Sequence, residues 1–201
     1  MASSTLSAVD VRRLWPADMP LFRDHLIRLD SRSRHDRFSG GMSDDFLIRY
    51  AQNCFGEGDL VFGGFIDGVM RGAAELRSSE AIWSEQAPFQ RHIHAEAAFS
   101  VEEPYRRRGV GETLFRRVEQ AASNHGVETV EIVCAPDNVP MIRLAGKFKT
   151  KFSFEENQIT GRLAARLPTA FSLLREASRD VMDLTASVFD ARTRDADLGA
   201  A

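Results

Sequence analysis

Apolar and polar residues alternate through residues 9–14, VDVRRL, just before Trp15-Pro16, a spacing that predicts a strand ending in a turn. Asp18 is placed to cap a helix, and Leu21, Phe22, His25, Leu26 and Leu29 then fall on one face at helical spacing. The connection over residues 29–45 is polar and rich in Arg, Ser and Gly, so a surface loop or short helix is expected there. Ser43 or Asp44 then caps a further helix through Phe46, Leu47, Tyr50 and Ala51. Residues 59–77 hold two apolar runs joined by Asp67-Gly68, a dipeptide that supplies the positive φ angles of a two-residue hairpin. Residues 83–89 read as a loop, and HIHAEAAFSV, residues 92–101, as a long and mostly buried strand stopped by Pro104.

The period changes again at Gly111. Leu114, Phe115, Val118, Ala121 and Ala122 make an apolar stripe with Arg116, Arg117, Glu119 and Gln120 opposite and Gly126 after the last turn, which predicts an amphipathic helix. Residues 127–135 are β-rich and suit a central strand, and Asn138 with Pro140 starts a helical segment through Met141, Leu144 and Phe148. Two more strands are expected at 151–155 and 160–167, with a turn near Asn157. A helix follows over residues 168–190, with Phe171, Leu174, Val181, Leu184 and Phe189 near helical spacing; it is expected to pack on the domain or on a second copy. Residues 191–201 are expected to be a disordered tail. The order β-α-α-β-β-β-α-β-α-β-β plus a terminal helix implies an α/β fold of the α+β type, with one domain over residues 1–167 built on a mixed sheet and helices on its faces.

Composition narrows the function. Across 201 residues the hydrophobic share of 43% and charged share of 27% are those of an ordinary globular chain. A net charge of -3 argues against general nucleic-acid binding, which needs a basic surface to displace counterions. Cys54 and Cys134 lie far apart among apolar residues, which suits buried free thiols rather than a metal site or disulfide framework. No run of ~18 apolar residues is long enough for a membrane helix, so a cytoplasmic protein without membrane partners is expected.

The densest chemical signal is EEPYRRRGVGETLF, residues 102–115, where three arginines and two glycines lead directly into a helix. Amides at a helix start have no intrahelical acceptor, and glycines let a large anion approach them, so a phosphate ligand is expected. A dinucleotide fingerprint would need glycine at Leu114, and a Walker A loop would need a following Gly-Lys-Ser/Thr; neither is present. Arg106-Arg107-Arg108-Gly109-Val110-Gly111 fits the R/Q-x-x-G-x-G/A loop of the GNAT superfamily of acetyl-CoA-dependent N-acetyltransferases. The strand AEAAFSV before it, Asn138 with MIRLAGKF after it, the Arg37-Phe38 pair and the hairpin extend the resemblance over residues 9–167. In pattern the chain is most similar to bacterial protein lysine acetyltransferase-like members.

The resemblance implies a GNAT-like fold with acetyl-CoA as co-substrate and no metal. Phe99, Ser100 and Val101 would pair with the pantetheine arm, while the amides of Arg108, Gly109, Val110, Gly111 and Glu112 hold the pyrophosphate, Arg106 and Arg107 act as screening charges, and Asn138 borders the site. Acetyl transfer to an amine also needs a base. Glu96 lies on the strand among alanines, where partial burial would fit it to accept a proton directly or through water, and the resemblance places the family's base on this strand. His92 and His94 are alternatives on the same strand, and a metal held by His92, His94 and Glu96 lacks a further ligand. Many GNAT members carry a tyrosine after the Asn that protonates the departing thiolate. Here Ala145 stands in that place, leaving water, Ser100 or another group to do so. Arg32, Arg34, His35, Arg37, Asp44 and Asp45 are candidates for contact with the acceptor, a protein lysine or a small amine, or else form a salt-bridged face. A non-catalytic acyl-CoA sensor or interaction domain is the alternative function, and a homodimer is an open partner.

Overall fold

The computed structural model describes residues 8–56, 58–78, 93–155 and 157–199, with side chains through residue 194. Strand β1 (Asp10–Leu14) leads through a tight turn into helix α1 (Met19–Arg28), followed by α2 (Ser31–Phe38) and α3 (Asp44–Gln52). The α2 segment, polar enough to read as a loop or short helix, is a helix because the Asp30 carboxylate accepts from the Ser33 amide at its start and Ser39 leaves it in a left-handed conformation. Strands β2 (Leu60–Ile66) and β3 (Val69–Arg77) form the expected hairpin, with Asp67 at φ 51° and Gly68 at φ 75°.

After β4 (Ile93–Val101) come α4 (Val110–Asn124), β5 (Val127–Cys134), α5 (Val139–Gly146), β6 (Lys151–Glu155), β7 (Gln158–Ala164) and α6 (Ala170–Gly199). Helix α6 runs on past Phe189, through residues expected to lack order. The expected loop over residues 83–89, and His92, lie outside the described residues.

The seven strands form one sheet in the order β1-β2-β3-β4-β5-β7-β6, antiparallel except for the β4/β5 pair. One face carries α4 and α5 over a core that includes Phe62, Leu76, Leu114, Phe115 and Val130. The other carries α1 and α3 over Phe22, Leu26, Leu47, Val61 and Met70. Helix α4 lies close on the sheet because β2 and β3 offer glycine beneath it: a Cβ at Gly64 or Gly72 would come within 2.9 or 2.7 Å of Val110 Cγ1. Among the described residues no helix is long and apolar enough to cross a membrane.

Candidate functional site

Strands β4 and β5 pair only from Ile93–Val127 to Glu96–Glu131. Beyond that point β5 stays with β7 as far as Cys134–Ile159, and β4 stays with β3 as far as Val101–Gly72. The two strands therefore part, leaving one edge of β4 from Ala97 to Val101 unpaired within the described sheet. A cleft of about 880 Å³ opens at the split, walled by Phe99, Ser100 and Val101 of β4, by the loop before α4, and by Asn138 with the first turns of α5.

The loop is shaped by its glycines. Gly109 caps α4 at φ 87°, a conformation that a side chain disfavours, and a Cβ built there meets nothing within 4 Å, so the backbone is open to a ligand. The first bond of α4 runs from the Thr113 amide to the Gly109 carbonyl at 2.9 Å. Val110, Gly111 and Glu112 stand in the turn ahead of it, where amides point outward and the dipole of a 15-residue helix adds partial positive charge. This open cradle of amides fits a pyrophosphate. Phe99 in the cleft wall is backed by stacked rings: it lies 5.1 Å from Phe115 at 7°, and Phe115 lies 4.0 Å from Phe148 at 18°.

Of the expected residues, Phe99, Ser100, Val101, Arg106, Arg107, Gly109, Gly111, Glu112 and Asn138 line the cleft. Val110 turns its side chain into the core and leaves only backbone to the loop. Arg108 lies outside the lining, its guanidinium 5.2 Å from the Tyr105 ring centroid. Arg106, expected as a screening charge, is a tie: Nη2 donates to Ser33 Oγ at 2.8 Å and Nε to the Val101 carbonyl at 3.3 Å, fastening the loop to α2 and β4. Asn138 Oδ1 accepts from the Met141 amide at 3.1 Å and so caps α5. Glu112 is held by Lys147 at 2.8 Å and Arg116 at 2.6 Å, and these two hydrogen bonds bring its carboxyl down to about 2.

Glu96 departs from expectation. The odd positions Ile93, Ala95 and Ala97 fill the core beneath α4, so alternation puts Glu96 on the opposite face, where it is exposed rather than partly buried. It marks the last paired position before the strands separate. His94 shares that face and is also exposed.

Two buried networks were not foreseen. Ser100 Oγ lies 2.9 Å from His25 Nε2, and His25 Nδ1 lies 3.2 Å from Glu102 Oε1. The same carboxylate receives Arg28 Nε and Arg71 Nη1, each at 3.0 Å. His25 is wholly buried, and that burial pushes its pKa down, so the ring is neutral near neutral pH. A carboxylate only accepts, so Nδ1 carries the proton and Nε2 is free to accept from the Ser100 hydroxyl. Burial alone would push Glu102 up, yet the His25 hydrogen bond and the charges of Arg28 and Arg71 outweigh it and bring the carboxyl to about 2. The only sequence signals were a histidine in the apolar stripe of α1 and a glutamate just before the loop.

The second network centres on Glu75, which accepts from Arg37 at 2.6 Å and Tyr50 at 2.8 Å, with Arg77 at 3.2 Å. Several candidates for acceptor contact are thus spent on holding the helices. Arg37 binds Glu75, Arg34 pairs with Asp44 at 2.7 Å, and Arg32 reaches Asp137 at 2.8 Å, tying α2 to the residues before α5. His35 and Asp45 remain exposed. Cys54 and Cys134 are buried free thiols, and burial pushes both upward.

Comparison with known proteins agrees with this geometry. The fold is similar to the GNAT domain of S. lividans PAT, with a TM-score of 0.63 and 17% identity over 82% of this chain and 99% of that one. It is also similar to the ribosomal-protein-S18-alanine N-acetyltransferase from Escherichia coli (TM-score 0.59, 17% identity, 81% and 97% covered). A third neighbour, a ribosomal L7/L12 alpha-N-protein acetyltransferase in complex with coenzyme A, gives a TM-score of 0.63 at 11% identity over 84% and 98%. The profile of the Acetyltransferase (GNAT) family matches residues 24–149, well over half of the sequence, and with the cleft, the glycine loop and the split sheet on one scaffold, the chain belongs to the GNAT family of acetyl-CoA-dependent N-acetyltransferases.

Proposed function

We propose that this chain transfers an acetyl group from acetyl-CoA directly to a primary amine, on a protein lysine or a small molecule, with Glu96 as general base. The observation that carries the reading is the opening between β4 and β5, faced by the amide-rich start of α4. The amides of Gly109, Val110, Gly111 and Glu112 hold the pyrophosphate, and the free edge of β4 receives the pantetheine amides as a strand would. Arg107 supplies the local positive charge, while Arg106 keeps the loop in register. When bound, the co-substrate supplies an activated thioester.

Glu96 lies outside the residues that line the cleft, but it stands where β4 leaves β5 and on the same strand face as Ser100, and we assign its exposed carboxylate to take the amine proton, directly or through water. Because His25 Nε2 accepts from the Ser100 hydroxyl, the chain to His25 and Glu102 orients Ser100 in the cleft wall and holds no proton to pass back through it, so the departing thiolate takes its proton from water. Water thus stands in for the tyrosine whose place is taken by the buried Ala145.

The test combines ligand-induced stabilisation with turnover. Acetyl-CoA should raise the thermal midpoint, and a panel of amines and lysine peptides should release free thiol. Glu96→Gln should keep the thermal shift and lose most of the thiol release; normal turnover by that variant would remove Glu96 from the role of base. Stabilisation without turnover on any acceptor would instead favour a non-catalytic acyl-CoA sensor.

A further inference from the structure

Helix α6 is mounted back to front. A helix at the edge of a domain normally buries its apolar stripe and shows its charges to water. Here the inward face is polar. Glu176 accepts from Arg117 Nη1 at 3.0 Å, Asp180 from Arg13 Nη1 at 2.7 Å, Asp183 from the Arg13 amide at 2.8 Å and Asp190 from Arg12 Nη2 at 2.9 Å. Asn124 adds hydrogen bonds to Glu176 and to the Ser172 carbonyl.

The opposite face is apolar and open. Phe171, Leu174, Val181, Met182 and Phe189 are 62–73% exposed and Val188 is 41% exposed, while Leu173 and Leu184 flank the inward face. Leu174, Val181 and Val188 recur every seven residues along its centre, with the smaller Ala177, Ser178 and Thr185 between them. That is the spacing of a seam between two helices, large side chains over small gaps. At roughly 100 Å² apiece, these six side chains present about 600 Å², or about 1,200 Å² over two copies, the lower end of a specific interface.

We propose that α6 pairs with α6 of a second copy of this chain, antiparallel about a two-fold axis near Val181 and Met182. The charge pattern selects the direction. Arg192 lies on the seam near the end of the helix, so a parallel pair would set it against its twin. An antiparallel pair sets it beside Phe171 of the other copy, a favourable cation over a ring, and places Leu174 across from Phe189. The acidic contacts to Arg12, Arg13 and Arg117 hold each helix on its own domain, leaving the apolar seam to the interface.

Sedimentation equilibrium or light scattering on the full chain, from about 1 to 100 μM, brackets micromolar association. A mass twice the 22.5 kDa of one chain is expected. Val181→Glu should shift the distribution to monomer with an unchanged circular-dichroism spectrum, and Leu174→Glu should do the same, whereas Arg179→Glu, off the seam, should leave the dimer intact. A monomeric wild-type chain across that range overturns the proposal, as does a folded Val181→Glu or Leu174→Glu variant that stays dimeric. A wild-type monomer that sediments with vesicles of mixed phosphatidylcholine and phosphatidylserine would assign the seam to a lipid surface and overturn it equally.

Discussion

Replacing Glu102 with glutamine removes one negative charge from a site where three groups depend on it, and the structure sets the size and pH dependence of the loss. The folded carboxyl titrates at about 2 against an ordinary 4.5, because His25, Arg28 and Arg71 hold the anion more strongly than burial disfavours it. At ~1.4 kcal/mol per pH unit, that difference corresponds to stabilisation on the order of 3 kcal/mol at pH 7. The sign follows from linkage: a lowered folded pKa means that the unfolded chain binds the proton more readily. The contribution is complete above about pH 4.5 and is lost as pH falls towards about 2. His25 works in the same direction, since burial lowers its folded pKa below 6.5 and acid therefore favours the unfolded chain. Urea denaturation of the wild type and Glu102→Gln, followed by circular dichroism from about pH 7 to pH 3, isolates the carboxylate. The gap between the two should be largest near neutrality and close progressively below about pH 4.5. A gap under about 1 kcal/mol at pH 7, or one that does not change with pH, would refute the account of a stabilised anion.

Gly72→Ala should cost about 1–3 kcal/mol, since the new Cβ would lie 2.7 Å from Val110 Cγ1 and 3.1 Å from the Ser100 carbonyl. By lifting the start of α4 it should also weaken stabilisation by acetyl-CoA; unchanged melting and binding would show that α4 does not rest on this glycine. Arg117→Met leaves Glu176 buried without its main cation, a loss of about 3–5 kcal/mol for a buried pair broken on one side. Its effect should be concentrated on α6, read as faster proteolysis within residues 170–199, and an unaltered cleavage rate there would count against the polar docking of that helix.

Periodicity was enough to place the strands, the hairpin at Asp67-Gly68 and the helix after Gly109, because each depends on neighbours in the chain. The glycine loop was legible for the same reason, since glycine spacing and a helix start are local properties, whereas the parting of β4 from β5 that opens the cleft depends on which strands pair. What escaped depends on contacts distant in sequence. Arg106 looked like a free cation because its partner Ser33 is 73 residues away. His25 passed as one more member of an apolar stripe until β4 brought Ser100 and Glu102 to it from 75 and 77 positions on. Glu96 was expected to be partly buried, but its exposure depends on which strand face the helices cover, which its neighbours in the chain do not specify. Likewise, the apolar spacing of α6 located a helix correctly, while only Arg12, Arg13 and Arg117 decide which side of it turns inward.

The separation of β4 from β5 gives the middle of the sheet the character of an edge. Backbone groups alternate direction along a strand, so from Ala97 to Val101 one set of amides is locked against β3 while the other faces the gap. Amide hydrogen exchange along this segment should therefore rise and fall with a period of two, slow on the β3 side and fast on the other. An extended ligand seated in the gap would erase that ripple without moving either strand, so the interior of the sheet becomes its own reporter of occupancy.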